Sequence, residues 1–136
     1  MELHQMLSDF RMESLEWIES MERALLHLTD TPGCGAAIND LFRAIPHLTR
    51  SAALFELDGV VVIAHAMESV LVRVCKGEVP SDETLVTLLL SCCEHIRTLI
   101  GQTSSDWNGK PHLRVEITED ALLGQLEGYR LQASVG

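Results

Sequence analysis

Apolar side chains recur at steps of three to five positions along most of the chain, in runs long enough to form helices. In the first run, over residues 3–28, the recurring positions are Phe10, Leu15, Ile18, Met21, Leu25 and Leu28. Such spacing puts one apolar stripe on a helix, whose period is about 3.6 residues. The sequence Asp-Thr-Pro-Gly that follows ends a helix and favours a turn. The first segment is therefore predicted as one amphipathic helix.

Three more segments show the same pattern. They cover residues 36–54, 58–76 and a segment that starts within Pro80-Ser81-Asp82-Glu83 and runs to about residue 100. The first of them contains Pro46 in its interior. Ser81, just before the last segment, is a plausible N-cap, because its hydroxyl can accept a hydrogen bond from a free backbone N–H. Short connections between successive segments make them antiparallel neighbours. The predicted fold class is all-α, an up-down antiparallel four-helix bundle.

The C-terminal third begins with a polar, turn-rich stretch and ends with a weaker helical pattern at residues 118–129. Gly124 and Gly128 each lower helix propensity there by about 1 kcal/mol relative to alanine. A short additional C-terminal helix is expected all the same. The predicted organisation is a bundle over residues 1–103, a linker over 104–117, and a short helix and tail over 118–136.

The interior of the bundle is predicted from the apolar stripes of the four helices. Residues that share these stripes should be largely buried in the folded protein. The predicted core consists of Leu15, Ile18, Leu25, Leu41, Ile45, Leu48, Met67, Leu71, Leu88, Leu89 and Ile96.

Composition agrees with a helical domain and argues against some classes of binding partner. Aromatic residues make up only 4% of the 136 residues, which argues against a β-sandwich or barrel. The formal net charge of −10 argues against nucleic acid and against an anionic membrane surface, because both attract basic faces. There is no uninterrupted apolar run of membrane-spanning length and no signal-peptide pattern at the N-terminus. A cytoplasmic location is expected.

The chemistry-bearing residues match few enzyme signatures. The four cysteines lack C-x-x-C spacing and are expected to be reduced thiols, and neither a metal site nor a cofactor is predicted. Glycine-rich phosphate loops and hydrolase motifs are missing, so no catalytic domain is expected. What remains is His47 on the second helix, with His65 and Glu68 three residues apart on one face of the third. A carboxylate beside an imidazole can orient the ring and raise its basicity.

Two stretches carry a resemblance to a known family. Phe42-Arg-Ala-Ile-Pro-His-Leu-Thr-Arg-Ser-Ala-Ala-Leu-Phe55 resembles the central helix of histidine phosphotransfer (Hpt) domains, whose pattern is F-R-A-A-H-T-L-K-G-S-A-G. Ala64-His-Ala-Met-Glu-Ser-Val-Leu71 resembles A-H-x-x-E-x-L-L in the N-terminal Hpt domain of the chemotaxis kinase CheA. The resemblance covers roughly residues 8–100 and is ungapped through both helices. It implies an Hpt-type bundle in a bacterial two-component, phosphorelay or chemotaxis system.

In that family a histidine on the second helix accepts a phosphoryl group from a kinase ATP-binding domain. It passes the group to an aspartate of a response-regulator receiver domain. His65 and Glu68 match the supporting residues, but Pro46 stands at the phosphoacceptor position. Thr49 and Arg50 stand where the family has lysine and glycine. The resemblance therefore implies a docking module that is degenerate at its phosphoacceptor site.

Two alternatives stay open. His47, directly after the proline, has Arg50 at plus three and Ser51 at plus four, so it is a candidate displaced phosphoacceptor. Its side chain would point about 100° away from the usual direction, although a proline kink recovers part of that angle. In this case the chain is at most a phosphotransfer intermediate. The other alternative is a helical scaffold or oligomerisation domain unrelated to phosphorelay.

Overall fold

The computed structural model describes residues 3–30, 35–102 and 113–132. Regular structure in these ranges consists of five α-helices: α1 Leu3–Leu26, α2 Ala36–Leu54, α3 Asp58–Cys75, α4 Glu83–Gly101 and α5 Leu113–Leu131. Within the described ranges there is no β-strand, so the predicted all-α class is confirmed. The four predicted bundle helices begin and end within about two residues of their expected limits.

The first four helices close into a ring. Helix α1 contacts α2 and α4, and α3 contacts the same two helices on the other side. The short connections after α2 and α3 make successive helices antiparallel, as expected for an up-down bundle. Helix α5 packs against α3 and α4, where Leu122 and Leu126 are buried in the common apolar core.

Helix α5 is longer than predicted. It begins at Leu113, so residues 113–117 are helical although the sequence placed them in the linker. Residues 103–112 lie outside the described ranges. Gly124 and Gly128 do not end the helix, because the burial of Leu122 and Leu126 against α3 and α4 outweighs their low propensity.

Burial confirms ten of the eleven predicted core residues, and Leu15 is the exception. Leu15 is 37% exposed, whereas its neighbour Ser14 is only 1% exposed. The buried stripe of α1 runs through Phe10, Ser14 and Ile18, one residue or about 100° away from Leu15. The sequence pattern missed this register because a polar serine occupies a core position.

The N-cap of α4 is Asp82 and not Ser81. Asp82 has an extended backbone, and its carboxylate accepts a hydrogen bond from the backbone N–H of Leu85 at 2.9 Å. Glu83 follows in the first turn, where a negative charge also interacts favourably with the helix dipole.

Asp82→Ala is expected to lower the free energy of unfolding by about 1 kcal/mol, because the N–H of Leu85 loses its acceptor. Ser81→Ala is the matched control and should change it by less than about 0.5 kcal/mol. Urea denaturation followed by circular dichroism measures both. Equal losses in the two variants would contradict the assignment of the cap.

Of the three cysteines in the described ranges, two are free and one is disulfide-bonded, so the expectation of four reduced thiols is wrong. Cys92 and Cys93 are free and buried in α4, and burial raises the pKa of the Cys92 thiol to about 12. Cys75, at the end of α3, is disulfide-bonded. Pairing depends on the distance between Cα atoms in the folded chain, which spacing along the sequence does not reveal. Cys34 lies outside the described ranges.

Among the described helices, α4 alone is long and apolar enough to cross a membrane by length and composition. Half of that stretch is buried inside the bundle. A core helix of a bundle has the same composition, so the feature is weak evidence for a membrane span.

Candidate functional site

Helix α2 continues through Pro46 without a break. Proline has no N–H, so the carbonyl of Phe42 receives no helical hydrogen bond from residue 46. The carbonyl oxygen of Pro46 accepts a hydrogen bond from the hydroxyl of Thr49 at 3.0 Å. The Nε–H of Arg50 approaches the same oxygen at 3.5 Å. Helix α2 thus contains the proline although the Phe42 carbonyl lacks that helical donor. A bend of the helix axis there stays a prediction.

Pro46 and His47 lie on opposite flanks of α2. The buried stripe of the helix contains Ile38, Leu41, Ala44, Ile45, Leu48 and Ala52. Consecutive residues are about 100° apart, so Pro46 and His47 fall on either side of the direction opposite this stripe. Pro46 is half-buried, and His47 is exposed.

His47 lies against α1. Its imidazole ring stacks on the indole of Trp17, with 4.5 Å between the ring centroids and 5° between the ring planes. Neither ring nitrogen makes a hydrogen bond or an ion pair with any of the described residues. One face of the ring is thus covered by Trp17, and the ring occupies the α1 flank of α2.

His65 and Glu68 lie on α3. His65 is exposed and Glu68 is half-buried. The hydroxyl of Ser69 donates to the backbone carbonyl of His65 at 3.1 Å, which leaves the imidazole uninvolved. Within the described part of the chain, the Glu68 carboxylate has no hydrogen-bond or ion-pair partner. It therefore does not orient the ring of His47 or of His65.

Helical geometry places Glu68 on the α2 side of α3. The opposite flank of α3 faces α5. There, Arg73 donates to the carbonyl of Tyr129 at 2.7 Å, and a Cβ on Gly59 would approach the Glu119 carboxylate to 2.5 Å. Glu68 lies about half a turn around the helix from Gly59, toward α2. We call the line along which α2 and α3 pack, bordered by Pro46 on α2 and Glu68 on α3, the α2–α3 seam. His47 lies outside it.

Two further polar contacts join different helices. Arg97 of α4 binds the Glu22 carboxylate of α1 through two hydrogen bonds of 2.6 and 3.0 Å. His95, 3% exposed, meets Glu119 of α5 at 3.1 Å. Among the described residues, no group of three or more histidine, cysteine or acidic side chains is placed to hold a metal ion.

Trp17 is the residue that sequence reasoning missed. It lies beside the apolar stripe of α1 and is half-buried, so it reads as an ordinary packing residue. Its contact with His47 joins two positions 30 residues apart. No spacing rule within a single helix predicts such a pair.

The protein is thus a helical-bundle domain. Its candidate site lies on the surface of two adjacent helices, α2 and α3. A family model described as "Hpt domain" matches residues 5–102, which is most of the chain. The chain belongs to the histidine phosphotransfer (Hpt) domain family. This membership counts against an unrelated helical scaffold.

The chain is similar to curated proteins named CheAY and CheA. The "Sensor histidine kinase CheAY" of Helicobacter pylori is 27% identical over 118 residues, which cover 85% of this chain and 15% of the relative. The "Chemotaxis protein CheA" of Listeria monocytogenes is 26% identical over 119 residues, 87% of this chain and 19% of the relative. The chain thus spans less than a fifth of the length of these relatives.

A solved structure supports the fold. It is the phosphorylated P1 domain of CheA3 in complex with CheY6 from R. sphaeroides, with a TM-score of 0.73 and 22% sequence identity. The match covers 92% of this chain and 98% of that domain. The chain therefore shares the fold of that P1 domain.

Proposed function

We propose that this chain is a docking module of a bacterial two-component system of the chemotaxis type, degenerate at its phosphoacceptor position. It acts in the cytoplasm and binds receiver domains, the ATP-binding domain of a histidine kinase, or both. The CheA3 domain that it resembles is described in complex with CheY6, which supports a receiver as partner.

One observation carries the proposal: Pro46 borders the α2–α3 seam, and the neighbouring histidine lies on the other flank of α2 against Trp17. A phosphoacceptor must supply a nucleophilic nitrogen on the surface that the partner covers. Pro46 has no such atom. Glu68 borders the seam and is suited to orient an imidazole there, but the described geometry gives it none.

His47 is the competing phosphoacceptor, and its surroundings disfavour it. In this family a carboxylate on α3 supports the accepting ring, and Glu68 makes no contact of that kind with His47. The stack on Trp17 also holds the ring parallel to the indole, toward α1. Thr49 and Arg50 replace the lysine and glycine of the family pattern, which further separates this surface from an active site.

Docking is testable by titrating the isotope-labelled chain with receiver domains and a kinase ATP-binding domain from the same organism. Amide shift changes are expected to cluster along the seam, around Thr49, His65 and Glu68. Ala53→Trp should weaken binding at least about tenfold, because Ala53 is exposed, lies on the flank of Pro46 and would project a bulky ring into the contact. Ala121→Trp, an equally exposed alanine on α5, is the matched control and should not affect binding.

Shift changes confined to α4 and α5, or equal losses in the two tryptophan variants, would contradict docking at the seam. A complete lack of binding by every receiver and kinase domain would overturn the proposed function.

A further inference from the structure

Helix α2 differs in charge from the rest of the molecule. The chain carries a formal net charge of −10, and four of its five helices contain more acids than bases. Helix α1, for example, has five acidic residues and two arginines. Helix α2 has the reverse balance, with Arg43 and Arg50 against Asp40. Among the described helices, α2 alone has more basic than acidic residues, and it carries the candidate site.

The two arginines of α2 have different surroundings. Arg43 lies 3.7 Å from the carboxylate of Asp40, one turn earlier on the exposed surface. Arg50 is exposed as well, but among the described residues no acid pairs with it. Its Nε–H approaches only the carbonyl oxygen of Pro46. Arg50 is therefore the cation of α2 whose charge is not offset by a neighbouring carboxylate.

Arg50 also lies where it can meet an incoming group. It follows Pro46 by four residues and His47 by three, so its side chain lies over both on the outer face of α2. We call these three residues the Arg50 surface. Guanidinium groups bind phosphate oxygens through two parallel hydrogen bonds, and such contacts are stronger than neutral ones. On the Arg50 surface, a side chain suited to bind phosphate, Arg50, thus lies next to Pro46, which has no nucleophilic atom.

We infer that the Arg50 surface binds the phosphorylated form of a receiver domain through its aspartyl phosphate and leaves the phosphoryl group in place. This inference rests on the proposed function, since it names the state of the receiver that docks. No bond forms or breaks, because Pro46 has no atom that can attack phosphorus and the imidazole of His47 is held toward α1 by its stack on Trp17. The bound receiver keeps its phosphate. Because Arg50 contacts that phosphate, the module binds the phosphorylated receiver more tightly than the unphosphorylated one.

Beryllofluoride, which forms a stable mimic of an aspartyl phosphate, tests the inference. The affinity of the unmodified chain is measured by calorimetry for each receiver domain with and without beryllofluoride. The loaded form is expected to bind about tenfold more tightly, the gain of one charge-assisted contact. Arg50→Gln should reduce this preference to below about twofold. Arg43→Gln is the matched control and should retain the full preference, because Arg43 is already paired with Asp40.

Three outcomes separate the inference from the proposed function. Binding with no preference for the loaded receiver overturns the inference and leaves docking intact. A preference that survives in Arg50→Gln also overturns it, because the preference would then come from the receiver's conformation alone. Binding by neither form overturns the proposed function and the inference with it. Circular dichroism of each variant checks that the helical fold is retained.

Discussion

Replacing Pro46 by histidine, together with Thr49→Lys and Arg50→Gly, is expected to give a domain that accepts phosphate at position 46. The new imidazole would project from the half-buried position at the α2–α3 seam, where Glu68 has no partner among the described residues. Histidine also has the backbone N–H that proline lacks, and this N–H can donate to the carbonyl of Phe42, which should stabilise α2. Acid-labile phosphate should rise well above background, because the variant supplies the nucleophilic nitrogen that Pro46 lacks.

Matched variants identify which part of this change matters. Thr49→Lys with Arg50→Gly, but with Pro46 kept, should remain at background because the nucleophile is still missing. Adding Glu68→Gln to the triple variant should lower the rate, since an amide holds an imidazole less strongly than a carboxylate does. A triple variant that folds, binds a kinase and still takes no phosphate would contradict the assignment of Pro46 to the acceptor position.

Truncating two core residues on adjacent helices is expected to unfold the domain. Leu41 of α2 and Leu71 of α3 are both fully buried. Each leucine-to-alanine change costs roughly 2–5 kcal/mol through lost burial and the cavity left behind. The pair therefore removes about 4–10 kcal/mol, which is comparable to the whole stability of a small domain. Circular dichroism at room temperature should show that the helical signal is lost, and a thermal scan should show no cooperative unfolding transition.

Leu54→Ala is the matched control, because Leu54 is 82% exposed at the end of α2. This substitution should change the free energy of unfolding by no more than about 0.5 kcal/mol. If the Leu41 and Leu71 double variant kept the stability of the unmodified protein, the packing of α2 against α3 described above would be wrong.

The sequence was sufficient to predict the helices because each one has its own apolar stripe. The limits of α2 follow from the turn before Ala36 and from the connection after Leu54. Details that depend on tertiary packing were missed. Leu15 fits a helical stripe as well as Ser14 does, and only the contacts of α1 with its neighbours decide which of them is buried. The early start of α5 likewise depends on contacts with α3 and α4.

The candidate site was predictable in part for a similar reason. The spacing of His65 and Glu68 fixes their shared face, and the place of Pro46 follows from its position within α2. The stack of His47 on Trp17 and the bonding of Cys75 depend on how separate parts of the chain meet. Pairs of this kind leave no periodic signal in a single sequence.

The central claim is that the unmodified chain lacks a working phosphoacceptor, and phosphotransfer to that chain tests it most directly. The protein is incubated with radiolabelled ATP and a chemotaxis kinase core, and separately with a phosphorylated receiver, and its acid-labile phosphate is measured. The unmodified chain is expected to give a signal no greater than that of His47→Gln. His27→Gln, at an exposed histidine of the α1 end, is the control. Stoichiometric phosphorylation of the unmodified chain that His47→Gln abolishes would contradict the central claim and would make His47 the phosphoacceptor.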